Sequence, residues 1–155
     1  MKLFIVVVIL FLPYSKALFN SIGTVQSTSV KGKLICEDSP AGNISVTLYN
    51  SNILKDTLMA RGRTNANGEF ELSGHATEIS SIDPRVYIYH KCGKNDFMIN
   101  PFNCNRQVKI HIPDEYTTDG KEPKRVFNLG VIQLAARFNY YRLRNASDHY
   151  SCFYS

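Results

Sequence analysis

The chain has 155 residues and a formal net charge of +5, from 18 Lys and Arg against 13 Asp and Glu. This length corresponds to one domain that is large enough to bury a core. No stretch supplies the roughly 20 apolar residues that a membrane-spanning helix needs, so the composition excludes a transmembrane anchor.

The first 17 residues have the pattern of a cleaved secretory signal peptide. Lys2 precedes an apolar run at 3–12, and small residues at Ser15 and Ala17 flank Lys16 in the positions that a signal peptidase reads. We therefore expect a secreted, extracellular protein with a mature start at Leu18 and a net charge of +3, since the segment carries two lysines and no acid. The predicted domains are the signal peptide at 1–17, a sandwich at 18–136 and a tail at 137–155.

Seven short runs with alternating apolar and polar residues follow, separated by turn residues, and no stretch carries a sustained helical period. This pattern is typical of an antiparallel, all-β, seven-stranded sandwich of the immunoglobulin-like class. Inward positions include Val86 and Ile88 in the fifth run, with Tyr87 and Tyr89 facing outward. The predicted strands cover residues 30–36, 43–49, 57–63, 69–73, 84–91, 106–112 and 125–134.

The stretch at 61–74, R-G-R-T-N-A-N-G-E-F-E-L-S-G, contains glycines and asparagines that invite three interpretations. A phosphate-binding loop fails because no Gly-Lys-Ser/Thr follows Gly62 at the required spacing and no helix comes next. A calcium loop fails because Arg63 and Gly74 would occupy the first and twelfth ligand positions. What remains is a hairpin between two strands, with a turn at Asn67-Gly68.

The four cysteines are an even number, which in a secreted chain indicates disulfides rather than a metal site and allows three pairings. We expect Cys92–Cys104, because these residues close a short loop between neighbouring strands, and this leaves Cys36–Cys152. Two sequons, at Asn43 and Asn145, fit the secretory route and predict N-glycosylation on the surface.

Positive charge is concentrated at the C-terminal end. From residue 121 onward, six basic residues face two acidic ones, whereas 18–120 holds ten basic and eleven acidic residues. The tail could contact an anionic lipid or glycan surface or an extracellular protein; ordinary solubility charge is the alternative. Nucleic acid is not an expected partner of a secreted chain. The candidate surface-binding residues of the tail are Arg137, Tyr140, Tyr141, Arg142 and Arg144.

The sequence offers no catalytic, metal-binding or cofactor-binding constellation. None of the four histidines has the spacing of a metal site, and His90 shares its strand face with Val86 and Ile88, which favours a structural role. Tyr87 and Tyr89, with two tyrosines of the tail, either form an exposed aromatic patch for a protein partner or lie beneath the tail.

The local patterns taken together closely resemble the nematode transthyretin-like family of secreted proteins over residues 22–136. The resemblance implies a prealbumin-type sandwich and a non-enzymatic extracellular role, including bridging of phosphatidylserine-exposing cells to phagocytes. Two related activities are the alternatives, an oligomeric carrier of a small apolar ligand and a 5-hydroxyisourate hydrolase. The hydrolase terminus, Tyr-Arg-Gly-Ser, is absent here, since the chain ends S-C-F-Y-S, and the sequence does not indicate an oligomeric state. The segments that carry the resemblance are I-G-T-V-Q-S-T-S-V-K-G-K-L-I-C at 22–36, the following P-A-G turn with V-T-L-Y at 46–49, D-T-L-M-A-R-G-R-T-N-A-N-G-E-F-E-L-S-G at 56–74, I-D-P-R-V-Y-I-Y-H-K-C at 82–92, C-N-R-Q-V-K-I-H-I-P-D-E-Y at 104–116 and L-G-V-I-Q-L-A at 129–135.

Overall fold

The computed structural model describes residues 23–53, 55–93, 105–136 and 146–151. These residues form ten strands and one 3₁₀ turn, at Asp114–Tyr116. The strands are β1 (Thr24–Cys36), β2 (Ser39–Pro40), β3 (Ser45–Asn50), β4 (Thr57–Arg63), β5 (Glu69–Glu78), β6 (Pro84–His90), β7 (Asn105–His111), β8 (Thr118–Asp119), β9 (Val126–Gln133) and β10 (Ala146–Ser151). Each of the seven strands predicted from sequence coincides with one of the long strands β1, β3, β4, β5, β6, β7 and β9.

The strands form two five-stranded sheets that face each other as a sandwich. In sheet A, β1 pairs with β5 in antiparallel register along most of its length, with β9 in parallel, and with the short strands β2 and β8. Sheet B has the order β10-β7-β6-β3-β4 and is antiparallel throughout. The expected all-β sandwich is therefore confirmed, with β9 of sheet A running alongside β1 in the same direction.

The core lies between the sheets and is built by strand alternation. Val30 and Leu34 of sheet A meet Val86, Ile88 and Val108 of sheet B, and none of the five side chains is exposed to solvent. Burying such a side chain stabilises a fold by about 1.5–3 kcal/mol. The inward positions predicted for the fifth strand are thus confirmed.

A run of polar residues in β1 is buried as well, contrary to the simple rule that polar side chains face water. Gln26 donates to the carbonyl of Ser80 at 2.7 Å, Thr28 donates to the carbonyl of Tyr116 at 3.0 Å, and Ser29 donates to the carbonyl of Leu72 at 3.2 Å. These bonds satisfy the buried side chains, which would otherwise lose their bonds to water.

The described disulfide joins Cys36 to Cys92, with a Cα–Cα distance of 5.7 Å. The expected pairing of Cys92 with Cys104 and of Cys36 with Cys152 is therefore wrong. Cys36 ends β1 and Cys92 follows β6, so the two residues meet at the same end of the sandwich although 56 positions separate them. The short spacing of Cys92 and Cys104 in the sequence did not predict the pairing correctly, because the observed disulfide links strands of different sheets. Cys104 and Cys152 lie outside the described residues.

The turn at 64–68 connects β4 of sheet B with β5 of sheet A, so it crosses between the sheets instead of closing a hairpin within one sheet. The amide of Gly68 donates to the carbonyl of Asn65 at 2.9 Å, and the Asn65 side chain accepts from the amides of Asn67 and Glu69. Gly68 has φ +77, whereas Asn67 is not among the residues with positive φ. The prediction of a turn is confirmed, and that of a hairpin within one sheet is wrong.

β10 falls within the segment that the sequence separates from the sandwich as a tail. Its six residues pair with β7 from Ala146 opposite Ile110 to Ser151 opposite Asn105, and it forms one edge of sheet B. None of the described segments forms a helix with the length and apolar character that a bilayer crossing requires.

Candidate functional site

The outer face of sheet B carries the candidate site. Val46 and Leu48 of β3 are fully buried in the core, so the alternating residues Ser45, Thr47 and Tyr49 point to the opposite face. On this face the register sets side chains of neighbouring strands beside one another, which is how one sheet brings residues from three segments of the chain together.

Two rows of the register define the site. Thr47 lies opposite Arg61 of β4 and opposite Tyr87 of β6. Ser45 lies opposite Arg63 of β4 and opposite Tyr89 of β6. Small hydroxyl side chains therefore run between arginines on one side and tyrosines on the other.

The tyrosine side forms a tight cluster. Tyr49 stacks on Tyr87 with ring centroids 5.1 Å apart, and the Nζ of Lys109 lies 4.7 Å from the centroid of the Tyr87 ring. The Tyr87 hydroxyl donates to Oδ2 of Asp56 at 2.6 Å. Tyr87 is only 6% exposed, so it is packed within the outer surface of the sheet. Tyr49 and Tyr89 on the same face are half-buried.

The bond between Tyr87 and Asp56 changes the pKa of both groups. Burial, together with the hydrogen bond to the Asp56 carboxylate, raises the pKa of Tyr87 well above its ordinary value of 10.0. Burial alone raises the pKa of Asp56, but hydrogen bonds from Tyr87, Ser51 and the backbone of Asn52, with the charge of Lys109, outweigh it. The pKa of Asp56 therefore lies below its ordinary value of 3.8.

The arginine side borders a groove of about 580 Å³, which we call the arginine groove. Among the described residues, its lining contains Arg61, Arg63 and Lys91, all exposed, and no Asp or Glu. Arg63 is held at the rim, since its Nη1 donates to the backbone carbonyl of Asn43 at 3.0 Å and contacts the Asn43 side-chain oxygen at 3.3 Å. The remaining lining residues are Asn43, Ile44, Ser45, Thr47, Tyr49, Gly62, Tyr89, His90 and Asn105.

Thr47 forms part of the floor of this groove. Its side chain is 4% exposed, and its Oγ1 has no hydrogen-bond partner among the described residues. A buried hydroxyl without a partner costs about 1–3 kcal/mol, so the groove contains a polar group whose bonding capacity the described fold leaves unused.

Another cationic group on the same face, Arg85, is paired with a carboxylate. Nη2 of Arg85 lies 2.5 Å from Oδ2 of Asp83, and Nε2 of His111 lies 3.0 Å from Oδ1 of the same carboxylate. The hydrogen bond to Asp83 raises the pKa of Arg85. Arg85 therefore differs in its surroundings from Arg61 and Arg63, because the part of their groove that the structure describes contains no carboxylate.

The residues singled out by sequence fall into three groups. Asn43 is exposed in the turn before β3 with φ +60, not on the outward side of a strand as expected. His90 is 2% exposed and its Nδ1 accepts from the amide of Cys92 at 3.2 Å, as a structural histidine would. Among the described residues no group of three or more His, Cys, Asp or Glu is placed to hold a metal ion. Outside the described residues lie Arg137, Tyr140, Tyr141, Arg142, Arg144 and Asn145.

Sequence reasoning missed Thr47, Arg61 and Arg63 as site residues. Arg61 and Arg63 are two apart in a predicted strand, which indicates that they share a face, and Thr47 lies between the apolar residues Val46 and Leu48, which indicates that it faces away from the core. The signal that they meet lies in the pairing of β3 with β4, which alternation within a single strand does not give.

Comparison with known proteins identifies relatives over most of the chain. Residues 31–113 match the model of the Transthyretin-like family. The chain is 47% identical to Transthyretin-like protein 5 of Caenorhabditis elegans over 119 residues, covering 76% of this chain and 82% of the relative. It is 40% identical to Transthyretin-like protein 33 of the same organism, covering 73% and 77%. A solved 9R-lipoxygenase from Cyanothece matches at 16% identity and a TM-score of 0.39, covering 70% of this chain and 16% of that one. This TM-score is too low to indicate a shared function or fold.

Proposed function

The chain belongs to the transthyretin-like family, and from this premise we propose that it is a secreted binding protein that recognises an anionic extracellular surface and bridges it to a receptor. Secretion rests on the signal-peptide pattern of residues 1–17, which lie outside the described residues. A binding role agrees with the names of the relatives, which describe likeness to transthyretin.

The main support for an anionic ligand is the positive charge of the arginine groove. A second groove of similar size, about 550 Å³, lies on the outer face of sheet A. There Lys31 and Lys33 pair in register with Glu71 and Glu69, so positive and negative charges balance. The described lining of the arginine groove has no such balance, and a concave surface lined by one sign of charge attracts ligands of the opposite sign.

A matched pair of double variants tests this proposal. Arg61→Ala with Arg63→Ala removes two positive charges from sheet B, and Lys31→Ala with Lys33→Ala removes the same charge from sheet A. We expect binding to vesicles containing phosphatidylserine, or to an immobilised sulfated glycan, to fall only in the arginine variant. We also expect it to weaken with added salt, since salt screens exposed charges beyond about 10 Å at 0.1 M. Equal loss in both variants would indicate a nonspecific effect of net charge and contradict the proposal.

The basic tail remains a second proposed contributor, and the fold determines how it has to be tested. Truncation after residue 136 would remove β10 with the tail and expose the edge of β7, so lost binding could reflect a damaged sheet. Point substitutions such as Arg142→Ala with Arg144→Ala avoid this. If these substitutions leave binding unchanged while the Arg61 and Arg63 pair abolishes it, the tail version of the proposal is excluded.

A further inference from the structure

The arginine groove combines three features that together specify the chemistry of its ligand. The floor carries the buried Oγ1 of Thr47, which has no partner among the described residues. Arg61 lies directly across the strand pair from Thr47. A hydroxyl donor beside a guanidinium matches an oxyanion with several acceptor oxygens, such as a sulfate or carboxylate group.

Arg63 adds a second cationic group that is already oriented. Because its Nη1 is bound to the Asn43 carbonyl, its side chain loses less freedom when a ligand arrives than an unrestrained arginine would. Lys91 lines the same groove and is exposed. An anion bound here therefore meets fixed charge at the rim and a hydroxyl at the floor.

The rings that line the groove extend its chemistry beyond a simple ion. Tyr49 and Tyr89 both line it and are half-buried, so each presents part of an amphipathic ring to an occupant. Ligand sites in general combine apolar walls with a few placed polar groups. The apolar faces of a sugar ring fit such walls, and its acidic substituent fits Thr47 and Arg61.

Two neighbouring features favour a saccharide over the headgroup region of a lipid bilayer. A surface that docks on a membrane presents apolar side chains that enter the interface. None of the exposed large hydrophobic residues of the described chain lines the arginine groove; they are Ile53, Leu58, Ile79, Val126 and Val131. In addition, Thr47 lines the groove and is only 4% exposed, so contact with it requires a substituent that enters the groove, which a flat array of lipid headgroups does not supply.

We propose that the arginine groove binds an acidic saccharide, with a sulfate group held by Thr47 Oγ1 and Arg61 and with Arg63 at the rim. This inference rests on the proposed function, because it names the anionic ligand of that same face. It assigns the affinity to a single subsite, so the hydroxyl of Thr47 contributes to binding as well as the charges around it.

The test uses the full mature protein with its disulfides formed, titrated with a heparin-derived hexasaccharide and with the same saccharide after desulfation. We expect the sulfated form to bind at least about tenfold more tightly. Thr47→Val and Arg61→Gln should each weaken the sulfated form by about tenfold or more, because each loses a hydrogen bond to a charged group. Lys31→Gln, in the charge-balanced groove of sheet A, should leave affinity unchanged.

Thr47→Val also separates a binding role from a structural one. Replacing a buried hydroxyl that has no described partner by a methyl group should leave the melting temperature unchanged or raise it, while affinity falls. A variant that loses both stability and affinity would assign Thr47 to the fold and overturn the proposal. Equal affinity of the sulfated and desulfated forms would overturn it too, as would displacement by inorganic sulfate at the same concentration as the hexasaccharide.

The two proposals fail in distinguishable ways. Vesicles containing phosphatidylserine are measured in parallel with the saccharide. If the vesicles bind in a manner that depends on Arg61 and Arg63 and the saccharide does not bind, the saccharide inference is overturned and the proposed function stands. If neither probe binds the parent protein, both are overturned.

Discussion

Gly68 lies directly against the backbone of Leu34, across the turn that links the two sheets. Its carbonyl accepts from the Leu34 amide at 2.8 Å, and a Cβ placed on Gly68 would lie 2.2 Å from the Leu34 carbonyl oxygen. The Leu34 carbonyl also accepts a hydrogen bond from the amide of Ala41 at 2.9 Å. A side chain at Gly68 would therefore displace backbone atoms that hold β1 to the following turn.

Gly68→Ala is expected to destabilise the fold severely, and Gly130→Ala provides the matched control. Both glycines have positive φ, +77 and +67, but nothing lies within 4 Å of a Cβ at Gly130. The control should cost about 1–2 kcal/mol from the left-handed conformation alone. Gly68→Ala should cost about 3 kcal/mol or more, because backbone must also move. Urea unfolding measures both values, and equal costs would contradict the steric explanation.

The disulfide between Cys36 and Cys92 should contribute strongly to stability because it closes a long loop. With a separation of 56 residues, the entropy of loop closure corresponds to about 4 kcal/mol. We expect the double variant Cys36→Ala with Cys92→Ala to lose about 2–4 kcal/mol of unfolding free energy, because disulfides often stabilise a fold by less than the loop-closure entropy predicts. Peptide mapping without reduction should recover the peptides of Cys36 and Cys92 joined; recovery of Cys36 joined to Cys152 would contradict the structure.

The disulfide between Cys36 and Cys92 leads to a further prediction for the other two cysteines. Of the four cysteines in the chain it leaves Cys104 and Cys152, and an even number of cysteines in a secreted chain is typical of complete pairing. We expect the same mapping experiment to recover Cys104 joined to Cys152. Free thiols at both positions, detected by alkylation of the unreduced protein, would contradict this.

The strands of this fold could be predicted from sequence because burial imposes a period of two on β-structure. In β6, Val86 and Ile88 alternate with tyrosines, and both valine and isoleucine are fully buried. β10 could not be predicted in this way, because an edge strand is held by backbone hydrogen bonds that leave no apolar pattern. The buried polar run of β1, including Gln26, was missed for a related reason: its partners lie 43 residues or more away.

The candidate site was harder to predict than the fold because it depends on contacts between strands. Alternation shows that Thr47 and Arg61 face away from the core, but only the register of β3 with β4 shows that they face each other. The disulfide error has the same origin. Nothing local to Cys36 indicates that the chain returns beside it at Cys92, since that contact joins the ends of strands in different sheets.

N-glycosylation at Asn43 is expected when the protein passes through a eukaryotic secretory pathway. Asn43 is exposed in a turn with φ +60, and Ser45 completes its sequon at the start of β3. Treatment with an N-glycosidase should lower the mass of the secreted protein. Ser45→Ala is the cleaner variant, because it destroys the sequon and retains the contact of Asn43 with Arg63. A site-specific mass measurement separates Asn43 from Asn145, and an unmodified Asn43 peptide would contradict the prediction.

The bond between Tyr87 and Asp56 predicts a stability that falls at both extremes of pH. The pKa of Tyr87 is raised in the folded protein, so its contribution is present below pH 10 and is lost as the pH rises from the unfolded value towards the folded one. The pKa of Asp56 is lowered, so its contribution is present above about pH 4 and is lost as the pH falls through the folded value. Tyr87→Phe should remove the alkaline component and reduce the acidic one. At neutral pH it should cost about 1 kcal/mol, at the low end for a charged hydrogen bond because Asp56 is partly exposed.

Tyr49→Phe is the matched control for this variant, because it retains the stacked ring and leaves the bond between Tyr87 and Asp56 in place. Unfolding free energy measured across the pH range should therefore retain both declines in Tyr49→Phe. In the parent protein, one tyrosine should resist ionisation above pH 10 in an ultraviolet titration, and Asp56→Asn should bring its pKa back towards the ordinary value, since the hydrogen bond then loses its charged acceptor. If the pH profiles of Tyr87→Phe and the parent coincide, the bond does not carry the pH dependence of stability.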